Sequence, residues 1–343
     1  MAFTLLVVAL ALLNNGQDAP EQLVLDEEGI LYYKTGEIDK NNELLQDYRK
    51  YEILEKVPFL GYKEYKISKG KPFRDGTAIT DASFYLVQET GFETRKTSAA
   101  LTTDEKACKA VKYFHSSGIY AQLGYSLYGK DNVDVAPSIT YLLANYPTKA
   151  TFKELNKTDV VTVLPALTCG NYLAEYTQYL EFVLYKAGFT GADCYPNTII
   201  PTDLTVCSNT GTNKKYFQNF KEAAFKGNSD TIKDVLIRYG AVRLYDGTVI
   251  VGWDGADWVT VIEKPIPGDE PDPVDPPVER NVEEEPDVPD VPDLNTYQYV
   301  LDKKPISTYT GVVQGFVYNN GFTALRAALG LIAAVLVLPA LLL

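Results

Sequence analysis

Residues 168–198 read TCGNYLAEYTQYLEFVLYKAGFTGADCYPNT. Leu173, Tyr176, Leu180, Val183 and Leu184 recur at the spacing of one helix face, while Glu175, Gln178, Glu181 and Lys186 fall mostly on the other. Asn171 is placed to cap the start, Lys186 suits the last turn, and Gly188 stands where a left-handed residue ends a helix. The spacing predicts one amphipathic helix. Cys169 precedes it, Cys194 follows it, and Cys207 comes a little further on.

A chain of 343 residues has enough apolar material for one large domain or two small ones. Its net charge of −13 is unevenly spread. Between Asp269 and Asp293 eleven acidic residues stand against Arg280 alone, a net of −10, which leaves about −3 for everything else. No basic surface follows from this, which argues against nucleic acid as a partner. Residues 1–16, MAFTLLVVALALLNNG, have the apolar run of a secretory signal peptide followed by small and polar residues. Four cysteines in a secreted chain fit two disulfides, with three pairings open. One histidine and no Cys-x-x-Cys pair give a zinc site little to build on, and neither metal nor cofactor is expected. Asn156-Lys157-Thr158 is a glycosylation sequon.

Along the chain, residues 17–80 alternate strand-like runs (30–33 and 62–67) with a helical run at 42–55. Ser116 to Tyr128 forms a helix pattern with Ile119, Leu123 and Leu127 on one face. Ser229 to Tyr239 forms another, with Ser229 as its cap. Thr248 to Trp253 and Trp258 to Glu263 are β-rich runs around Asp254-Gly255, a hairpin signal. The acidic, proline-rich stretch after Pro265 cannot bury enough apolar surface to offset its ordering entropy, and is expected to be an extended, disordered stalk. Ala327 to Leu343 is seventeen uncharged residues. As a helix it spans about 25 Å, short of the ~30 Å core of a bilayer. With Asn319, Asn320 and Gly321 before it, this tail has the pattern of a GPI-attachment signal, with attachment near Ser307 or Gly311 as an upstream alternative and a tail-anchored helix as the rival.

Several of these stretches resemble papain- and cathepsin-type cysteine proteases. TCGNY, the helix, KAGFTG and DCYPNT are similar to the family's Cys-Asn-Gly-Gly turn, helix, glycine and Cys-Tyr-Pro-Tyr segment. SFYLVQETGFETRK (83–96) resembles its mature start, SSGIYAQLGYSLY (116–128) its central helix, PSITYLLAN (137–145) the helix after that, and Gly240-Ala241-Val242 the turn into its β half. The hairpin at 248–263 resembles the one that carries its histidine and asparagine. The resemblance therefore covers about Ser83 to Glu263. It implies an α+β, papain-like two-lobed fold, a helical lobe beside a β lobe that here looks truncated.

In that family the first turn of the central helix holds the nucleophilic cysteine, because a helix N-terminus stabilises a thiolate and a nearby imidazole completes its activation. The matching position here is Ser117 or Gly118. The histidine position falls on Asp246 or Gly247, and the asparagine position on Ile262 or Glu263. Thr97 to Ala100 replaces the glutamine that donates to the oxyanion. No catalytic residue is therefore expected. An ordinary aspartate is no acid for a leaving amine at neutral pH, and Asp246-Gly247 reads as a turn. A Ser117–His115 hydrolase is the first alternative, but the two lie on one turn, where the imidazole points elsewhere. An active cysteine peptidase using Cys108 and His115 is the second, and a surface-coat protein the third.

The resemblance also pairs Cys108 with Cys169, which leaves Cys194 with Cys207. It implies a peptide or protein ligand in the former substrate cleft, lined by Ser117, Gly118, Gly170, Asn171, Tyr172, Asp246 and Trp253. The expected organisation is a signal peptide (1–16), a pro-region-like segment or extra module (17–80), a papain-like domain (81–265), an acidic linker (266–295), a spacer (296–321) and a hydrophobic tail (322–343). Such a protein is displayed at the cell surface and held to the membrane through its tail.

Overall fold

The computed structural model describes residues 28–47, 49, 62–153, 157–172, 174–208, 211–266, 297–309 and 311–319. The stretch read as a signal peptide, Asn156 of the sequon, the acidic stretch and the C-terminal apolar run lie outside the described residues.

The chain opens with strands β1 (Ile30–Lys34), β2 (Glu37–Ile38), β3 (Glu43–Asp47), β4 (Tyr62–Lys66) and β5 (Ser83–Tyr85). Helices α1 (Thr103–Lys106), α2 (Lys109–Ser116), α3 (Ile119–Asp131) and α4 (Ile139–Ala144) follow. Next come β6 (Lys149–Lys153), β7 (Val160–Val163), α5 (Leu180–Ala187), β8 (Lys221–Gly227) and α6 (Ser229–Tyr239). The last strands are β9 (Val242–Leu244), β10 (Val249–Asp254), β11 (Asp257–Pro265), β12 (Tyr297–Pro305) and β13 (Val313–Asn319). This is an α+β arrangement. No described helix is long and apolar enough to cross a membrane.

Helix α3 is the centre of the packing. Ile119 to Leu127 are buried without a break, as a helix apolar on every face must be. Two polar side chains within that run are satisfied. Gln122 Nε2 donates to the carbonyls of Phe316 (2.6 Å) and Ala241 (3.3 Å), and Ser126 Oγ accepts from the Ala241 N–H at 3.0 Å.

Nine strands form the large sheet, in the order β12-β11-β10-β9-β13-β8-β1-β4, with β5 added on β10. This corrects the expectation of a truncated β half. Residues 296–321, read as a spacer, supply β12 and β13, and β13 lies between β9 and β8. Attachment of an anchor near Ser307 or Gly311 would remove β13 and open the middle of the sheet. The acidic stretch is likewise no stalk between the fold and the tail. Pro265 and Tyr297 are cross-strand partners, so the ends of residues 266–296 are held side by side and the stretch adds nothing to the distance between them. Antiparallel register also separates two ends of the sheet. The β9–β10 turn and the Pro265/Tyr297 pair lie at one end, and Asn319 lies at the other.

The N-terminal segment belongs to this architecture. β1 pairs with β8 and β4, while β2 and β3 join β6 and β7 in a second sheet. Lys186 Nζ donates to the Asp39 carbonyl at 2.8 Å, and Lys34 meets Glu181 at 3.0 Å. Three local expectations change. Residues 43–47, inside the stretch read as helical, form a strand because Leu44 and Gln46 alternate inward with Leu45 outward. The predicted single helix at 173–187 splits into a 3-10 turn, Ala174–Tyr179, and α5. Glu181 is buried on α5 rather than outward, and burial raises its carboxyl pKa against the pull of Lys34. The cap of α6 is Asn228, one residue before Ser229. The disulfides are Cys108–Cys169 and Cys194–Cys207, which ties the start of α2 to the loop ahead of α5 and closes a loop of separation 13.

At the C-terminal end of α3 the Lys130 ammonium sits 5.0 Å from the Phe220 ring centroid. Burial pushes its pKa down to about 8 from the ordinary 10.5. Between those values the unfolded chain binds more protons than the folded one, so this lysine makes stability rise with pH across that window. We predict that Lys130→Met raises the melting temperature at pH 7, and that wild type regains ground on the variant between pH 8 and 10.5. Parallel pH profiles in thermal melts contradict this.

Candidate functional site

Two chain reversals meet at one end of the large sheet. The first is the break between α2 and α3. Ser117 ends α2, and Gly118 begins α3 with a φ of 75°. The second is the β9–β10 turn, where Asp246 Oδ1 accepts from the Thr248 N–H at 2.9 Å and Gly247 has a φ of 85°. Asp246-Gly247 is thus a turn, as its sequence reads. The reversals touch: a Cβ on Gly118 would lie 2.4 Å from the Gly247 carbonyl oxygen and 2.8 Å from Val249 Cγ2. No side chain fits between helix start and turn.

Beside this contact lies a cavity of about 210 Å³ bounded by His115, Asp246, Val249, Ile262, Glu263 and Tyr299. A neighbouring one of about 310 Å³, reaching to Leu101, Lys106, Lys112 and Tyr297, shares His115, Ser116 and Glu263 with it. Together they make a trough across the ends of α2, β11 and β12.

His115 is the middle of the trough and is only 3% exposed. Its Nδ1 bonds Glu263 Oε1, its ring stacks on Tyr299 with centroids 4.1 Å apart, and Tyr299 Oη donates to the His115 carbonyl at 2.6 Å. Burial raises the Tyr299 phenol pKa well above its usual value, so it stays a neutral donor. With the Glu263 carboxylate as acceptor, a proton is assigned to Nδ1. Nε2 is buried and has no hydrogen-bond partner. Neither serine is activated by it. Ser116 Oγ donates to the Tyr113 carbonyl and Ser117 Oγ to that of Phe114, at 3.3 and 3.4 Å.

Of the residues expected to line a groove, the fold brings together Ser117, Gly118 and Asp246, beside Gly247, Ile262 and Glu263 of the expected histidine and asparagine positions. It leaves four out. Gly170 and Asn171 are exposed on a separate loop, where the Asn171 carboxamide accepts from Thr168 N–H (2.7 Å) and donates to the Ala166 carbonyl (3.0 Å) instead of capping a helix. Tyr172 is buried against Tyr113, Phe114 and Tyr176. Trp253 is fully buried, stacked on Phe84 at 5.1 Å with its Nε1–H on the Asp81 carbonyl. Trp253 and Tyr172 are aromatic bulk in the core, which outweighs any position near a cleft.

The trough residues missed from sequence include Tyr297 and Tyr299, which follow the acidic stretch in sequence, and Leu101, Lys106, Lys112, Ser116 and Thr248, which no motif marks as site residues. The partnership of His115 with Glu263 had one signal: the asparagine position of the hairpin falls on Ile262 or Glu263. All four cysteines are in disulfides, so this fold offers no thiol. Among the described residues no group of three or more His, Cys, Asp or Glu could hold a metal ion. The arrangement can bind: it offers two carboxylates, two lysines and apolar walls.

Compared with protein-family models, curated proteins and solved structures, the chain matches none.

The Gly118 contact sets a direct expectation. Gly118→Ala costs about 3 kcal/mol, from positive-φ strain plus overlap with Gly247. Gly247→Ala, whose Cβ would meet nothing nearer than 3.5 Å, costs about 1 kcal/mol from strain alone. Equal losses in urea denaturation would show that no close approach exists.

Proposed function

We propose that this chain is a papain-like module that binds peptide or protein segments in the trough without cutting them. The observation that carries the reading is the closed nucleophile position. The family's cysteine falls on Ser117 or Gly118: at Gly118 the Gly247 carbonyl occupies the space a side chain would need, and at Ser117 the hydroxyl donates to the Phe114 carbonyl.

Other features support it. β5 pairs with β10, as a mature start laid on the hairpin would, and Cys108 is cross-linked to Cys169, the pairing that the resemblance implies. Hydrolysis of a peptide bond needs an activated nucleophile and a proton donor for the leaving amine. In the trough the only imidazole is held by Glu263, and the Ser116 and Ser117 hydroxyls donate to carbonyls of their own helix. Binding asks for less: a concave surface with apolar walls and a few placed polar groups. Two disulfides are consistent with an extracellular protein. The C-terminal apolar run would hold it at the cell surface as a GPI or tail anchor. The trough would then point away from the membrane, since Asn319 leaves from the opposite end of the sheet.

The test incubates the purified, disulfide-intact protein with a degenerate peptide library. Mass spectrometry is expected to find no new termini, while immobilised library peptides are retained. Ser116→Trp, an exposed substitution shared by both cavities, is expected to weaken retention at least about tenfold with an unchanged melting temperature. New termini, or retention that survives the substitution, would overturn the reading.

A further inference from the structure

Resting on the peptide-binding reading above, we infer that the 210 Å³ cavity takes a basic side chain, lysine or arginine, of the bound peptide.

Two observations point to that chemistry. The first is the pairing of walls and rim. Val249 and Ile262 supply apolar surface for an aliphatic stem, while exposed Asp246 and half-buried Glu263 supply negative charge for its head. His115 Nδ1 bonds Glu263 Oε1 and so fixes that carboxylate at the cavity wall. Lysine and arginine heads carry donors only. A glutamate side chain would instead face two carboxylates and be repelled.

The second is the field. The stretch with a net charge of −10, Asp269 to Asp293, lies between Pro265 and Tyr297 in sequence and starts six residues beyond Glu263. A concentration of one sign of charge beside a cleft raises the local concentration of counter-charged ligands and their association rate. That field is long-ranged and salt-screened, and cannot choose a position within a peptide. The cavity can. Lys106 and Lys112 border only the neighbouring cavity, so the demand for a basic residue applies at one subsite and not along the whole trough.

The experiment uses the mature chain purified from secretory expression and three fluorescein-labelled heptapeptide pools. The central residue of each pool is fixed as Lys, Ala or Glu, and the others are degenerate. Fluorescence anisotropy at 150 mM salt is expected to give half-saturation for the Lys pool at least about tenfold below the Ala pool, with the Glu pool weakest. Asp246→Asn is expected to bring Lys and Ala pools within about threefold of each other without shifting the melting temperature. Glu283→Gln/Glu284→Gln/Glu285→Gln is expected to slow association of the Lys pool while keeping its preference over Ala. Equal binding of the three pools overturns the subsite and leaves the peptide-binding reading standing. A preference kept by the Asp246 variant but lost in the triple variant also overturns it, because the insertion would then be reading the charge. Binding by no pool overturns both.

Discussion

One buried carboxamide fixes the geometry from which the rest follows. Gln122 lies on a helix with no exposed face through most of its length, and a polar group there must find partners or cost about 1–3 kcal/mol. It finds them on the sheet: the carbonyls of Phe316 on β13 and Ala241 before β9, and the Arg243 Nε–H at 3.2 Å. Arg243 in turn meets Glu222 of β8 at 3.0 Å. A network of this kind is stable only when every member is satisfied, so it admits one register of helix on sheet. That register carries the N-terminus of α3 onto the β9–β10 turn. Gly118 and Gly247 are the two positions where contact occurs, and a side chain at Gly118 is incompatible with it. The Gly118–Gly247 contact and the trough beside it are consequences of how the core is pinned.

The same constraint explains why later strands are indispensable. The Phe316 carbonyl belongs to β13, which follows the acidic stretch in sequence yet sits in the middle of the sheet. Between β11 and β12 the chain makes an excursion and returns to its starting point. Its composition therefore has no bearing on the order of the strands around it. The N-terminal segment acts similarly, with β1 in one sheet and β2 and β3 in the other.

What sequence made legible was what periodicity and turn chemistry encode locally. The Asp254-Gly255 hairpin, α6 with Gly240 after it and Gly188 at the end of α5 could all be read from spacing and from residues suited to positive φ, whereas the helix read over Ser116 to Tyr128 begins at Ile119 and α2 before it went unread. Misreadings came where tertiary context decides. Glu181 looks outward on a helical wheel, but Lys34 of β1 pairs with it from a distant part of the chain. Leu44 and Gln46 fit a helix as well as a strand until β6 lies alongside as a parallel partner. Tyr172 and Trp253 look like cleft residues only while the core they fill is unseen. The β half looked short because a proline-rich, acidic run has the composition of a domain end, and nothing local says that two strands follow it. In the site, the candidate positions Ser117 or Gly118, Asp246 or Gly247, and Ile262 or Glu263 came from motif resemblance, and the fold brings them to one end of the sheet. The His115–Glu263 pair could not, since it joins α2 to β11 across 148 residues.

The central claim is that the trough binds without cutting because no sulfur nucleophile exists in the folded chain. Counting thiols tests it most directly: alkylation of the native, unreduced protein, followed by non-reducing peptide mapping. The account predicts no alkylated cysteine and two cross-linked pairs, Cys108 with Cys169 and Cys194 with Cys207. A free thiol at Cys108 or Cys169 in stoichiometric amount would contradict it.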